Sequence, residues 1–504
     1  MNLEQAKSIF FESREKENAI GLCFYLNSLD VETETAPRAS MDYRSRQLGV
    51  LQSMIYDMNT SEDFCKAVRV MAEHADQLEP NLAHEIRNKS ESMEKLAKIP
   101  RDEYLEYNDL MNKVYPIYVE AKQTDNFALF EEWLDKIFVY NRKYAAWIAE
   151  DGKEGYDVLL DEYERGYGRK EYDAFFDTLR EKLVPFVKKV TEKTMEGLPA
   201  FAKKTYPISG QKAFCRYLQE VMCFDSDRTC ILESEHPFTT NNGSHDVRIT
   251  NHYHEDNCAS AIFSAIHEMG HGLYELGIDD IHEGTGNSGG ASLAIHESQS
   301  RLMENMIGRS AAFWETHFPR LQSIFPDQLH DVEWQDFYRY VNTVSCGLIR
   351  TEADELTYSL HVLIRYEIEK EVLSGTVEAS DVPTVWNAKY KEYLGVEVPS
   401  DKEGCLQDVH WAGGLLGYFP TYALGSAYAA QIYHALGRDL DIDAAIRSGN
   451  VRAIADWLGE HLHKYGASKY PRELIRIATG EDFDPHYYVD YLIKKYSALY
   501  GIDD

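Results

Sequence analysis

Residues 261–277 read AIFSAIHEMGHGLYELG, and no other stretch constrains the fold as tightly. The surroundings are small and apolar, which describes a buried helix. Yet the stretch carries two histidines and a glutamate. His267 and His271 stand at i and i+4, on one helix face about one turn apart. That spacing lets two imidazoles reach one Zn²⁺ at about 2.0–2.1 Å each. Glu268 follows the first histidine, where it can take a proton from a water activated at such a metal without ligating it. The pattern is H-E-x-x-H. The competing reading is an ordinary amphipathic helix with two hydrogen-bonded histidines.

A catalytic zinc site needs a third protein ligand and an open position for water. A glycine-rich loop, EGTGNSGG, separates the first helix from a second, ASLAIHESQSRLMENMIG. Its length lets the second helix fold back and present a carboxylate. Spacing alone leaves Glu297, Glu304 and His296 open as that ligand.

The chain has 504 residues, enough for several domains or for one large helical body with a cleft. The formal net charge is -32 and no run of clustered Lys and Arg occurs, which argues against nucleic acid as a partner. No apolar run approaches the roughly 20 residues that span a bilayer, so no membrane association is expected. MNLEQAKSIFFESREKE lacks a basic segment followed by an apolar one, and the eight cysteines form no C-x-x-C pair. Both point to the cytoplasm and to reduced thiols.

Most of the chain shows helical periodicity. Residues 3–27, MDYRSRQLGVLQSMIYDM, ALFEEWLDKIFVYNRKYAAWIAE and KEYDAFFDTLREKLVPFVKKVTEK alternate apolar stripes with charged faces. DGKEGYD at 151–157 marks a boundary between a helical N-terminal lobe, about 1–150, and a catalytic core, about 151–504, within one domain. Thr229–His254 differs, with β-branched residues around an NNG turn signal, and predicts a small hairpin or sheet. Its DVRIT segment, Asp246–Thr250, is the expected edge for binding a peptide as an added strand.

Six blocks in order resemble the carboxypeptidase Taq family of metallopeptidases: HPF (236–238), DVRIT (246–250), HEMGH (267–271), HESQ (296–299), IRTEADE (349–355) and LQDVHWAGGLLGYFPTYALGSAYAAQ (406–431). YDVLLDEYERG and a helix ending in LVPFV extend the likeness over most of the chain. The resemblance implies a mainly α fold, a large helical body with a deep groove and a small sheet beside the metal helix, similar to neurolysin-like oligopeptidases and angiotensin-converting enzymes. It implies Glu297 as the third ligand, one Zn²⁺ that Co²⁺ can replace, and a homodimer. The implied activity is removal of single residues from free peptide C-termini with broad preference.

A carboxypeptidase has to hold a free carboxylate, and a planar guanidinium pairs both oxygens. Arg350 in IRTEADE is the candidate; the alternative is a structural ion pair with Glu352, Asp354 or Glu355. Likeness to the related oligopeptidases, which carry a His and a Tyr at similar separation after AGG, assigns Tyr422 to the transition state and His410 to substrate or oxyanion contact. Tyr418 is the second candidate. His236 and Arg248 are expected where the groove closes, with Asp246 orienting Arg248. Asp354 or backbone carbonyls are the expected hydrogen-bond partners of the ligating imidazoles. Two alternatives stand beside exopeptidase action: an oligopeptidase cutting internally in the same groove, and a helical binding protein with a vestigial metal site.

Overall fold

In the computed structural model, which describes residues 1–150, 152–194 and 197–502, helices build almost the whole molecule. The N-terminal layer comprises α1 (Leu3–Glu32), α2 (Met41–Thr60), α3 (Glu62–Glu73) and α4 (Pro80–Lys98). Asn2 and Gln5 form a capping box that starts α1, and Ser61 caps α3. Each such cap contributes about 1 kcal/mol by satisfying orphan N–H groups. α1, α3 and α4 share a small core of Ala6, Phe10, Phe64, Val68, Met71 and Ile86. α2 buries no residue at all.

A second, far larger core begins with α5 (Arg101–Gln123) and α6 (Ala128–Ile148) and runs to the C-terminal helix His486–Tyr500. It takes in α7 (Tyr156–Tyr163), α8 (Arg169–Thr191) and α9 (Ile208–Val221). Asp151, the first residue of the expected boundary loop, lies outside the described residues. Among the described residues no helix is long and apolar enough to cross a membrane.

Three strands interrupt the helices: β1 (Thr229–Glu233), β2 (Thr239–Asn241) and β3 (Val247–Asn251). The order is β1-β3-β2, with β1 parallel and β2 antiparallel to β3. Gly243, at φ +85°, makes the NNG turn between β2 and β3. This arrangement corrects the reading of DVRIT as a binding edge. β3 is the central strand, and its backbone is paired on both sides. The edge beside the metal helix is β2, a strand too short to be visible in local periodicity.

α10 (Cys258–Leu276) carries HEMGH and packs on β3; a Cβ at Gly272 would lie 3.5 Å from Val247 Cγ1. α11 (Leu293–Arg301) starts at Ser292, whose hydroxyl accepts from Ile295 N, and continues as a π-helical turn, Leu302–Gly308. Two glycines set how closely these elements approach. A Cβ at Gly270 would sit 2.7 Å from Gln299 O, so only glycine between the two histidines lets α11 lie against α10. A Cβ at Gly425 would sit 2.7 Å from Glu297 Cβ, so the helix Pro420–Asp439 closes on α11 at the proposed third ligand.

Candidate metal centre and substrate groove

The structure brings His267, His271 and Glu297 together, one potential ligand atom from each lying within 4.8 Å of the others. Glu297 Oε2 is 3.8 Å from His267 Nε2 and 3.6 Å from His271 Nε2. Two bonds of 2.0–2.1 Å meeting at a tetrahedral angle need about 3.4 Å between ligand atoms, so a modest inward shift completes the geometry.

The remaining atoms of the three side chains are already engaged. His267 Nδ1 donates to Glu304 Oε2 at 2.9 Å. His271 Nδ1 faces His296 Nδ1 at 2.6 Å, and His296 Nε2 donates to Glu275 Oε1 at 2.7 Å. This chain fixes the tautomer: a proton on His271 Nδ1 leaves its Nε2 lone pair free. Arg301 Nε donates to Glu297 Oε1 at 2.6 Å, which leaves Oε2 to point inward. Ser300 Oγ donates to Oε2 at 3.3 Å and takes only one of its lone pairs. One lone pair from each of the three side chains therefore converges on one point, and the donor set fits a divalent cation.

Glu304 and His296, both open as ligands from spacing alone, thus stand behind the histidines. Burial opposes ionisation of Glu304, but the His267 bond and the charges of Arg309 and Arg301 hold its carboxyl well below the usual range. The π-helical turn re-aims the chain so that Glu304 faces His267. Asp354, expected in this role, is elsewhere: it accepts from Ser345 N, Leu356 N and Thr357 N. Sequence periodicity carries no mark of the π turn, so the substitution of Glu304 for Asp354 was not legible.

Glu268 is buried, and its Oε2 accepts from Thr239 Oγ1 at 2.6 Å. Two residues on, Asn241 Nδ2 donates to Glu275 Oε2 at 2.7 Å. Alternate residues of β2 face one side, so this three-residue strand holds both glutamates of α10. Burial and neighbouring Glu297 push the Glu268 carboxyl upward, against His267 and Thr239.

A second cluster lies across Tyr422. Arg350 is 5% exposed and donates to Asp408 Oδ1 through Nη2 at 2.8 Å and Nε at 3.1 Å. Arg365, fully buried, donates to Asp408 Oδ2 at 2.7 Å. Arg350 is therefore paired, but with Asp408 rather than Glu352, Asp354 or Glu355. Two guanidiniums share one carboxylate, so within this triad positive charge exceeds negative by one. The Arg350 guanidinium lies 4.9 Å from the Tyr422 ring centroid. His410 Nε2 is 3.2 Å from Tyr422 Oη, and Tyr418 lies edge-on to Tyr422 with centroids 5.4 Å apart. Burial takes His410 down to about 4, opposed by Asp408 and aided by Arg350 and Arg365, so the ring is neutral at pH 7. Burial also raises the Tyr422 phenol, which keeps its proton.

Arg248 is gripped by Asp246 at 2.6 and 2.8 Å and faces the Tyr25 ring of α1 at 5.4 Å. It sits on the sheet face opposite α10. His236 is exposed in the β1–β2 connection. A cleft of ≈ 990 Å³ leads away from His296 and Ser292 between walls that include Tyr107, Tyr140 and Tyr163.

A model of the carboxypeptidase Taq (M32) metallopeptidase family matches residues 22–496. The chain belongs to that family. Carboxypeptidase 1 of Bacillus subtilis is 40% identical over 466 residues, covering 92% of this chain and 93% of its own. Thermostable carboxypeptidase 1 of Thermus thermophilus is 34% identical, covering 95% of this chain and 99% of its own. The crystal structure of the M32 carboxypeptidase from Deinococcus radiodurans superposes with a TM-score of 0.93 at 34% identity, covering 99% of this chain and all of that one. A Pyrococcus furiosus carboxypeptidase structure gives 0.92 at 34% identity, covering 98% and 99%. The molecule is a mainly helical metallocarboxypeptidase, and its peptide substrates and divalent metal follow from the family.

Proposed function

We propose that the enzyme trims single residues from free peptide C-termini with broad preference, using one Zn²⁺ held by His267, His271 and Glu297, with Co²⁺ able to replace it. The observation that carries the C-terminal reading is the excess positive charge of the Arg350, Arg365 and Asp408 triad beside Tyr422. A buried uncompensated charge is costly, and a substrate carboxylate supplies the missing partner. Broad preference is what the family likeness implies, and Tyr107, Tyr140 and Tyr163 on the cleft wall offer aromatic faces among its polar and charged residues.

The cation, when bound, supplies Lewis-acid polarisation of the attacking water and the scissile carbonyl. Glu268, held by Thr239, takes the water's proton and hands it to the leaving amine. Tyr422 donates to the developing oxyanion while neutral His410 holds its hydroxyl; Tyr418 is the second candidate donor. The free edge of β2 aligns the substrate backbone. Arg248, clamped between Asp246 and Tyr25, closes the end of the groove together with His236. A homodimer is supported by apolar residues left exposed on α1 and α2, among them Phe11, Leu26, Val50 and Met54.

The test uses metal-loaded protein, one unmodified peptide and its C-terminal amide, with products read by mass. A ladder of single losses from the free acid alone is expected. Internal cuts in both peptides would replace exopeptidase action with endo-cleavage.

A further inference from the structure

The segment 410–422 brings His410 to Tyr422 across a glycine-rich turn. Gly414 and Gly417 lie at φ +72° and +95°, where other residues are strained. A Cβ at Gly414 would run into Tyr107 Oη, and one at Gly417 would come within 2.8 Å of Leu159 O. The turn is thus pressed against α5 and α7 from outside. Something has to hold it from below, because glycines give a loop freedom as well as close approach.

Glu369, on the helix Tyr358–Ser374, lies beneath the turn and is 1% exposed. Its Oε1 accepts from Trp411 Nε1 at 2.7 Å. Its Oε2 accepts from Gly417 N at 2.8 Å and from Tyr156 Oη on α7 at 2.6 Å. No salt-bridge partner reaches it among the described residues. The hydrogen bonds of nearby Arg365 go instead to Asp408, Gln407, His361 and Tyr390. Trp411 directly follows His410, and Gly417 directly precedes Tyr418. One carboxylate therefore ties down both shoulders of the turn, each on its own oxygen.

We propose that Glu369 is a positioning residue for the peptidase reaction, setting the reach from His410 to Tyr422 by clamping the two ends of the glycine turn between them. The inference rests on the roles given above to His410 and Tyr422. Its consequence lies in the transition state, because His410 and Tyr422 are placed at the oxyanion rather than at the carboxylate anchor. A displacement of about 1 Å at such a donor costs on the order of 10²-fold in rate.

Glutamine keeps the size of Glu369 but has a single acceptor oxygen, so either Trp411 or Gly417 loses its partner and faces an NH₂ group. For E369Q the expected result is a fall in kcat of about 10–100-fold, with KM changed less than about threefold and metal content unchanged. W411F removes one loop bond, and Y156F removes one bond to the same carboxylate while sparing the loop. W411F is expected to lower kcat about tenfold and Y156F to leave it within about twofold. Unchanged kcat in folded E369Q would overturn the proposal. If E369Q does not fold, the other pair decides: equal kcat losses in W411F and Y156F at matched Tm would mean general packing and overturn it as well. Wild-type enzyme runs alongside on the free-acid peptide. A wild type that trims nothing brings down the peptidase reading and this proposal with it, whereas an active wild type makes the variants report on Glu369 alone.

Discussion

The two halves of the site are built on opposite electrostatic plans. Around α10 and α11, four buried carboxylates, Glu268, Glu275, Glu297 and Glu304, face two guanidiniums, Arg301 and Arg309. Carboxylates outnumber guanidiniums there by two, and with the ligating histidines neutral, as metal binding requires, that excess suits a divalent cation. Around Asp408, two guanidiniums face one carboxylate, an excess of one positive charge that a peptide carboxylate matches. Tyr358 stands between them: the Arg301 guanidinium lies 4.2 Å from its ring centroid, and its hydroxyl accepts from Arg350 at 3.2 Å. Each half is incomplete alone, in the sense that its missing charge is a ligand. The difference predicts that variants in the two halves fail in different ways.

The largest effect is expected in the negative half. Glu268→Gln keeps the volume and the Thr239 contact but removes the proposed base. Turnover should fall by on the order of 10³-fold or more, with bound metal, measured by elemental analysis, unchanged. Full activity would remove Glu268 from the mechanism. In the positive half, Arg350→Ala leaves Asp408 still paired with Arg365, so the fold should survive. The loss should appear mainly in KM, with kcat/KM on free-acid peptides down by about 10²-fold. The preference for free acid over amide should disappear with it. A variant that still distinguishes the two peptides would move the anchor elsewhere, and Arg248 would be the next residue to substitute.

A smaller effect sharpens the contrast within the negative half. Glu304→Gln weakens the acceptor behind His267 without touching Glu268. Metal affinity should fall about 10–100-fold, read by competition with a chelator. Activity at saturating metal should stay near wild type. If activity is lost while affinity holds, Glu304 acts on the chemistry rather than on the metal.

What local sequence makes legible differs between the halves for the same physical reason. His267, Glu268 and His271 share one helix, so their common face follows from 3.6-residue periodicity. The helical body follows from the same signal repeated along the chain. The pairing of Arg350 with Asp408 joins residues 58 positions apart, and β2 is three residues long; neither leaves a periodic trace. DVRIT reads as a strand, but whether a strand is central or at an edge depends on partners elsewhere in the chain. Glu304 was visible only as a carboxylate near the metal helices, because the π turn that aims it behind His267 leaves no periodic trace. The ordered family blocks supplied Glu297, which spacing left open against two neighbours.

The smallest expected effect concerns how α11 is held in place. Glu164 is fully buried at the end of α7 beside Ser292 and accepts from Tyr428 Oη at 3.2 Å, and burial pushes its carboxyl up to about 8. Ser292 is the residue that caps α11, so Glu164 bears on the helix carrying Glu297. Its pKa in the folded state lies above the ordinary value of 4.5. Its contribution to stability is therefore full below about pH 4.5 and is lost as pH rises to about 8. Glu164→Gln removes this titration. Between pH 5 and 8 the melting temperature of the variant should rise relative to wild type by a few degrees, corresponding to at most a few kcal/mol. The comparison is of slopes, so a constant offset from the amide's own fit does not matter. Parallel curves would mean that Glu164 does not change its protonation across this range. A relative rise together with unchanged metal affinity would separate the stability of α11 from the aim of Glu297, and would place the demand for charge balance in the ligand-facing layer alone.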